Sequence, residues 1–139
     1  MDKSIILNTV EQTVIQNYID PLPKIKFSEL NNHFINNQVI GVYFVFNEKK
    51  ELIYVGQSGV NTKPHSKRKL KDRIRQHQTK RDTGAKNFGV SPKFVRNNYF
   101  FSYIPLTEKE EIKELEKFFI GIFSRILKFN KYHKIKTFN

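Results

Sequence analysis

The chain has 139 residues, of which 38% are hydrophobic, and a formal net charge of +12 at pH 7. This size and composition predict one domain with a buried core and argue against disorder, and the positive charge predicts an anionic partner, nucleic acid first and a membrane surface second. No apolar run approaches the ~20 residues of a membrane-spanning helix, and the N-terminus lacks a signal-peptide pattern. The absence of cysteine excludes disulfides, thiolate catalysis and cysteine-ligated zinc. These features fit a cytoplasmic protein.

The N-terminal 38 residues predict two helices that carry no chemistry of their own. Residues 8–19 have apolar side chains at helical spacing. The prolines of DPLPKIK (20–26) are expected to end this helix, and FSELNNHFIN (27–36) predicts a short second helix capped by Ser28. We therefore expect residues 1–38 to be a helical extension that serves packing or substrate binding.

A β-hairpin is predicted for residues 39–46 and 51–58, which are rich in β-branched and aromatic residues. A two-residue turn or a four-residue loop would set Tyr43 directly opposite Tyr54 on one face, whereas an odd-length loop or a bulge would break this register. An aromatic pair that only covers a core is the simplest interpretation. Gly41 and Gly56 favour a site instead, because glycine weakens a strand unless another group must approach the backbone closely.

A strongly basic helix is predicted for residues 66–81. Its apolar face is the i, i+3, i+4, i+7 stripe of Leu70, Arg73, Ile74 and His77. Arg73 and His77 are therefore expected to point at the protein, where an arginine needs an anionic partner such as a substrate phosphate. The other cations of this segment are expected to face outward and to neutralise a nucleic-acid backbone: Lys63, Lys67, Arg68, Lys69, Lys71, Arg75, Lys80 and Arg81.

The remaining chain predicts a loop at 83–92, a third strand at 98–104 and a long helix at 108–127 with acidic residues in its first turn. Glu116 lies within the apolar sector of that helix. Burying a carboxylate is unfavourable unless a cation pairs with it. One interpretation is a salt bridge to lysine or arginine; the other is a metal ligand, because Mg²⁺ often takes only one or two protein carboxylates.

Taken together, these residues resemble the GIY-YIG nuclease family. GVY (41–43) and YVG (54–56) match the two halves of the motif that names the family. Arg73 and His77 match the family's helix with arginine and histidine four residues apart. Glu116 matches its metal-binding glutamate in a later helix.

This resemblance covers about residues 39–133 and implies an α/β fold of the α+β type. A small three-stranded antiparallel sheet would be flanked by helices and preceded by the N-terminal helical extension. The expected organisation is a single domain, 1–139, made of the extension 1–38, a catalytic module 39–133 and a basic tail 134–139.

The resemblance also implies metal-dependent hydrolysis of a DNA phosphodiester, with Mg²⁺ or Mn²⁺ as the cofactor. Carried over residue by residue, Tyr43 would deprotonate the attacking water, and Tyr54 would position that water or the phosphate. His77 would assist proton movement, Arg73 would hold the scissile phosphate, and Glu116 would bind the metal.

The chain departs from the family pattern at three points. Gln57 and Ser58 follow YVG where several members carry a basic residue, and the segment between Gly56 and Arg73 is longer than in compact members. The family's late asparagine is matched best by Asn130, with His133 at a rival position.

The sequence thus predicts a DNA endonuclease of restriction, mobile-element or repair type with no membrane partner. Restriction-type cutting of both strands would also predict a homodimer. The main alternative is a non-catalytic nucleic-acid-binding module on the same fold, whose marker would be a lost tyrosine, arginine or glutamate; none is lost here. A third interpretation, a basic protein that binds an acidic partner or a membrane surface, predicts no salt-sensitive DNA affinity.

Overall fold

A computed structural model describes residues 3–34, 38–60, 69–79 and 88–127. These residues form an α+β fold in which helices cover an antiparallel sheet. The helices are α1 (Lys3–Val14), α2 (Leu30–His33), α3 (Leu70–Gln76), α4 (Pro92–Asn98) and α5 (Lys109–Ile122). The strands are β1 (Ile25–Lys26), β2 (Gly41–Phe46), β3 (Leu52–Ser58) and β4 (Phe100–Pro105).

The sheet has four strands in the order β1-β4-β2-β3, so the prediction of three strands is wrong by one. The additional strand comes from DPLPKIK, which we predicted only as a helix breaker. Its prolines cannot continue a helix, and the extended chain after them pairs Ile25 with Phe101 and Lys26 with Phe100. The N-terminal extension therefore contributes an edge strand to the sheet.

Strand β2 lies between β4 and β3 and is buried at all six positions. Successive side chains of a strand point to opposite faces, so β2 supplies both cores. The α3-side core includes Tyr43, Val45, Leu70, Ile74, Phe101 and the extension residues Phe27, Leu30 and Phe34. The α5-side core includes Val42, Phe44, Phe46, Ile112, Phe123 and the extension residues Val14 and Ile19. The extension thus packs on both faces of the sheet.

The predicted hairpin forms, but its register differs from the predicted one. Tyr43 faces Gly56 and Val45 faces Tyr54, so the direct Tyr43–Tyr54 pair is wrong. The observed pairing is shifted by two residues, and because side-chain direction alternates with period two, both tyrosines still share one face. Their ring centroids are 6.0 Å apart.

The connecting loop explains this shift. Residues 47–51 lie between the strands, an odd-length loop, and the pairing is irregular between Val45 and Phe46. Asn47 Oδ1 accepts hydrogen bonds from the backbone N–H groups of Lys49 (3.0 Å) and Glu51 (2.9 Å), which fixes the loop conformation.

Several helix boundaries also differ from the predicted ones. Helix α1 begins at Lys3 rather than at residue 8, and α3 spans a shorter range than the predicted 66–81, whose ends lie outside the described residues. Helix α4 was not predicted, although Ser91 Oγ accepts the Phe94 N–H at 3.1 Å and Pro92 occupies its first turn. Among the described residues, no helix is long and apolar enough to cross a membrane.

Candidate active site

The centre of the site is a hydrogen bond between a strand tyrosine and a helix histidine. Tyr43 Oη, from β2, lies 2.7 Å from Nε2 of His77, which directly follows α3. Both residues are buried, with exposed fractions of 3% and 4%. Burial, and then the positive charge of Arg73, lower the pKa of His77 to about 3. The imidazole is therefore neutral at pH 7, and the Tyr43–His77 contact is a hydrogen bond between two uncharged groups.

Aromatic rings hold this pair in place. The ring of Tyr54 lies 4.9 Å from that of His77 and 6.0 Å from that of Tyr43. Phe88 stacks on His77 at 5.1 Å with an interplanar angle of 21° and meets Tyr54 edge-on. The role of Phe88 was not predicted; a lone aromatic residue between the glycines of TGAKNFG was the signal available in the sequence.

Gly56 allows the Tyr43 ring to lie across β3. A Cβ atom at this position would come within 2.5 Å of Tyr43 Cζ and 2.6 Å of its Oη. Real Cβ atoms do not approach other groups this closely, so any larger residue would displace the phenol. The expectation that glycine permits a close approach to the backbone is met at this position.

Arg73 lies on α3 and Glu116 on α5, and these two helices cover opposite faces of the sheet. Both α3 and α5 pack against β3, which lies at the edge of the sheet opposite to β1. Arg73 Nε is buried and has no hydrogen-bond partner among the described residues. Burial raises the pKa of Glu116 to about 7, against the opposing effects of the Lys117 and Arg73 charges. The structure thus brings Arg73 within electrostatic range of both His77 and Glu116.

The predicted alternative of a salt bridge for Glu116 is not seen in the described part of the chain, where this carboxylate makes no direct ion pair. A desolvated carboxylate without an ion partner is a suitable ligand for an added cation. The described residues contain no group of three metal-ligating side chains. Mg²⁺ does not need such a group, because substrate phosphate and water complete its coordination. The site therefore fits Mg²⁺ or Mn²⁺ better than a structural zinc ion.

The predicted nucleic-acid contacts are only partly within the described residues. Lys69 directly precedes α3, Lys71 is half-buried on it, and Arg75 is exposed and lies 3.5 Å from Asp72. The following predicted site residues lie outside the described ranges: Lys63, Lys67, Arg68, Lys80, Arg81, Asn130 and the rival His133.

A second tyrosine–histidine pair lies on the same sheet face and was not predicted. Tyr103 of β4 is directly opposite Tyr43 of β2. Tyr103 Oη lies 2.6 Å from Nε2 of His33, which ends α2 in the N-terminal extension. Burial raises the pKa of Tyr103, whereas His33 is exposed. Strand alternation could have indicated Tyr103, but the position of His33 depends on tertiary packing.

The family model of the GIY-YIG catalytic domain matches residues 39–133. The chain belongs to the GIY-YIG family. The family is one of nucleases, and the match contains Tyr43, Tyr54, Arg73, His77 and Glu116. The N-terminal extension, with α1, β1 and α2, lies outside the GIY-YIG match. Comparison with curated proteins and comparison with solved structures each returned no match.

Proposed function

We propose that this GIY-YIG protein is a metal-dependent endonuclease that hydrolyses DNA phosphodiester bonds. The observation that carries the proposal is the buried Tyr43–His77 hydrogen bond of 2.7 Å. It stands beside an arginine with an unused buried Nε and a carboxylate whose pKa is raised to about 7. Metal-dependent hydrolysis of a phosphodiester uses a base, a cation for the phosphate and a ligand for the divalent ion, and these groups are suited to the three roles.

Tyr43 is the base in this proposal. A free phenol has a pKa of ~10, so it is protonated at neutral pH. It must be ionised before it can take a proton from water. The positive charges of Arg73, of a bound divalent ion and of the basic helix favour the ionised phenol, which takes a proton from the attacking water. The resulting hydroxide attacks phosphorus, and the leaving sugar oxygen takes a proton from solvent water. His77, which is neutral because burial lowers its pKa to about 3, donates its Nε2–H to the phenolate oxygen and holds it in place.

Arg73 holds the scissile phosphate. Its guanidinium matches phosphate oxygens in bidentate fashion, and its buried Nε has no competing partner among the described residues. Because it is preorganised on α3, it stabilises the charge that grows on the phosphate in the transition state. Tyr54, 4.9 Å from the His77 ring, positions the water or the phosphate.

Glu116 would hold the divalent ion, which supplies positive charge beside the phosphate oxygens when bound. Asn130 is assigned to the late site position. Contact with the DNA backbone is assigned to the cations of α3 and its flanking segments: Lys63, Lys67, Arg68, Lys69, Lys71, Arg75, Lys80 and Arg81. The proposal includes a cytoplasmic location and a homodimer for cleavage of both strands.

The test compares Glu116→Gln with Glu114→Gln, an exposed glutamate of the same helix. Plasmid and single-stranded DNA are incubated with Mg²⁺ or Mn²⁺, and cleavage is read on gels. Wild type and Glu114→Gln should cut, and Glu116→Gln should be slower by about 10²- to 10³-fold. If wild type leaves every DNA intact while it still retards DNA on a native gel, the protein is a non-catalytic binding module.

A further inference from the structure

A cleft of about 240 Å³ lies where the N-terminal extension, α3 and α4 meet. It is separate from the Tyr43–His77 pair, and the described chain segments around it come from three distant parts of the sequence. Its polar lining consists of Ser28, Asn31, Arg75, Gln78, Thr79 and Arg96. Only Arg75 among these was predicted to contact nucleic acid.

The cleft uses a second face of the segment that carries the catalytic candidates. Arg73 and His77 point toward the sheet, whereas Arg75, Gln78 and Thr79 follow an i, i+3, i+4 pattern on another side. The helical turn continues beyond α3, because Gln78 N–H donates to Arg75 O at 3.0 Å. Arg75 lies about 200° around the helix from Arg73, so the cleft and the catalytic face are separated by the ~10 Å diameter of a helix with its side chains.

The chemistry of the cleft suits an anion. Arg75 and Arg96 both line it, and the described residues that line it include no carboxylate. Arg75 is paired with Asp72 at 3.5 Å, but both side chains are partly exposed, which makes the pair weak and leaves other N–H donors of Arg75 available.

Gln78 adds an uncommitted amide. Its Oε1 atom is buried and accepts no hydrogen bond from a described residue. A buried polar atom in this state requires an explanation, and a ligand is one. Rotation of the amide would place Nε2, a donor suited to an anion, where Oε1 now lies, and no hydrogen bond to a described residue would be lost.

We infer that this cleft binds a backbone phosphate of the DNA other than the scissile one, so that the N-terminal extension takes part in substrate binding. The inference rests on the proposed function for the identity of its ligand. Ser28 and Asn31 give the extension its polar side chains at the cleft. The extension lies outside the family match, so this contact distinguishes the chain from a bare catalytic module.

The experiment compares Arg96→Ala with Lys93→Ala, which removes an exposed cation from the same helix without touching the cleft. Binding of a short fluorescein-labelled DNA duplex is measured by anisotropy over a salt series, with a chelator and no divalent ion. Arg96→Ala should weaken binding roughly three- to tenfold and reduce the salt slope by about 0.9. Lys93→Ala should change affinity less than about twofold. Equal losses in the two variants would overturn the inference.

Arg96→Lys adds a test of geometry. It keeps the charge and loses the planar fork, so it should retain most of the salt slope and recover only part of the affinity. All variants should have the melting temperature of wild type, because exposed substitutions of this kind change the free energy of unfolding by about 0.5 kcal/mol or less.

A further arm separates a DNA phosphate from free phosphate. Melting temperatures are compared in inorganic phosphate and in chloride of equal ionic strength. If phosphate stabilises wild type but not Arg96→Ala while DNA affinity is the same for both, the cleft serves free phosphate and the inference fails. Binding is measured without divalent ions, so it does not depend on cleavage. A protein that never cuts DNA but shows the Arg96 effect would overturn the proposed function and leave the inference standing.

Discussion

Two tyrosine–histidine pairs lie side by side on one face of the sheet, and they differ in burial rather than in bonding. Tyr43 Oη is 2.7 Å from His77 Nε2, and Tyr103 Oη is 2.6 Å from His33 Nε2. His77 is 4% exposed and enclosed by aromatic rings, whereas His33 is open to solvent.

This difference in burial separates their chemistry. Desolvation lowers the pKa of His77 to about 3 and so keeps the imidazole neutral. Its Nε2 lies 2.7 Å from Tyr43 Oη. A pair exposed to water exchanges protons with solvent and gives no directed transfer to a substrate. We propose that the buried pair, with Tyr43 as the base, carries the chemistry and that the exposed pair is surface of the same face.

The largest effect is expected when the same hydroxyl is removed from each pair. Tyr43→Phe should lower the cleavage rate by about 10²- to 10⁴-fold, because it removes the proposed base. Tyr103→Phe should lower it by less than about threefold. The measurement is single-turnover cleavage of one DNA substrate. Equal losses in both variants would show that burial does not distinguish the two pairs.

The second effect concerns stability against pH. The pKa of His77 is about 3 in the folded protein against an ordinary value of 6.5, so the unfolded chain binds the proton first as the pH falls. The contribution of His77 to the free energy of unfolding is fully present above about pH 6.5. It is lost as the pH falls toward 3, by up to about 1.4 kcal/mol per pH unit. His77→Gln should lose this dependence, and His33→Gln should keep it.

The measurement is the free energy of unfolding by urea at several pH values, taken as the difference between each variant and wild type. Differences are needed because Glu116 acts in the opposite direction. Its pKa is raised to about 7, so its protonation stabilises the fold as the pH falls from about 7 to 4.5. Parallel curves for His77→Gln and wild type would contradict the burial of His77.

The smallest effect tests the backbone that supports the buried pair. Gly56→Ala places a Cβ against the Tyr43 ring and should destabilise the protein by about 1–3 kcal/mol. Ser58→Ala is the matched control in the same strand, since its buried Oγ has no partner among the described residues and its loss should be neutral or stabilising. The measurement is the melting temperature of both variants. An unchanged melting temperature for Gly56→Ala would refute the close approach of the Tyr43 ring to residue 56.

The sequence alone was sufficient to predict the features that depend on the period of side-chain direction in strands and helices. Tyr43 and Tyr54 share a face because a two-residue change of register does not alter side-chain direction. Helical spacing likewise identified His77 as inward-facing and Glu116 as partly buried. These inferences required only local geometry, and they locate most of the candidate site.

Features that depend on distant parts of the chain were not accessible in this way. The two-residue strand β1 exists because Phe100 and Phe101 of β4 pair with it. Phe88 and His33 join the site face through tertiary packing, and the hairpin register depends on the loop that begins at Asn47. Helix α4 is different, since Ser91 followed by Pro92 was a recognisable start signal.

We propose that residues on the inward side of α3 catalyse phosphodiester hydrolysis and that residues on its outer side bind DNA. The most direct test is the single-turnover cleavage rate at saturating protein for Arg73→Ala and Arg75→Ala, two arginines of one helix. Arg73→Ala should be slower than wild type by about 10²- to 10³-fold, and Arg75→Ala should match the wild-type rate while it needs more protein to saturate. A wild-type rate for Arg73→Ala would contradict the claim.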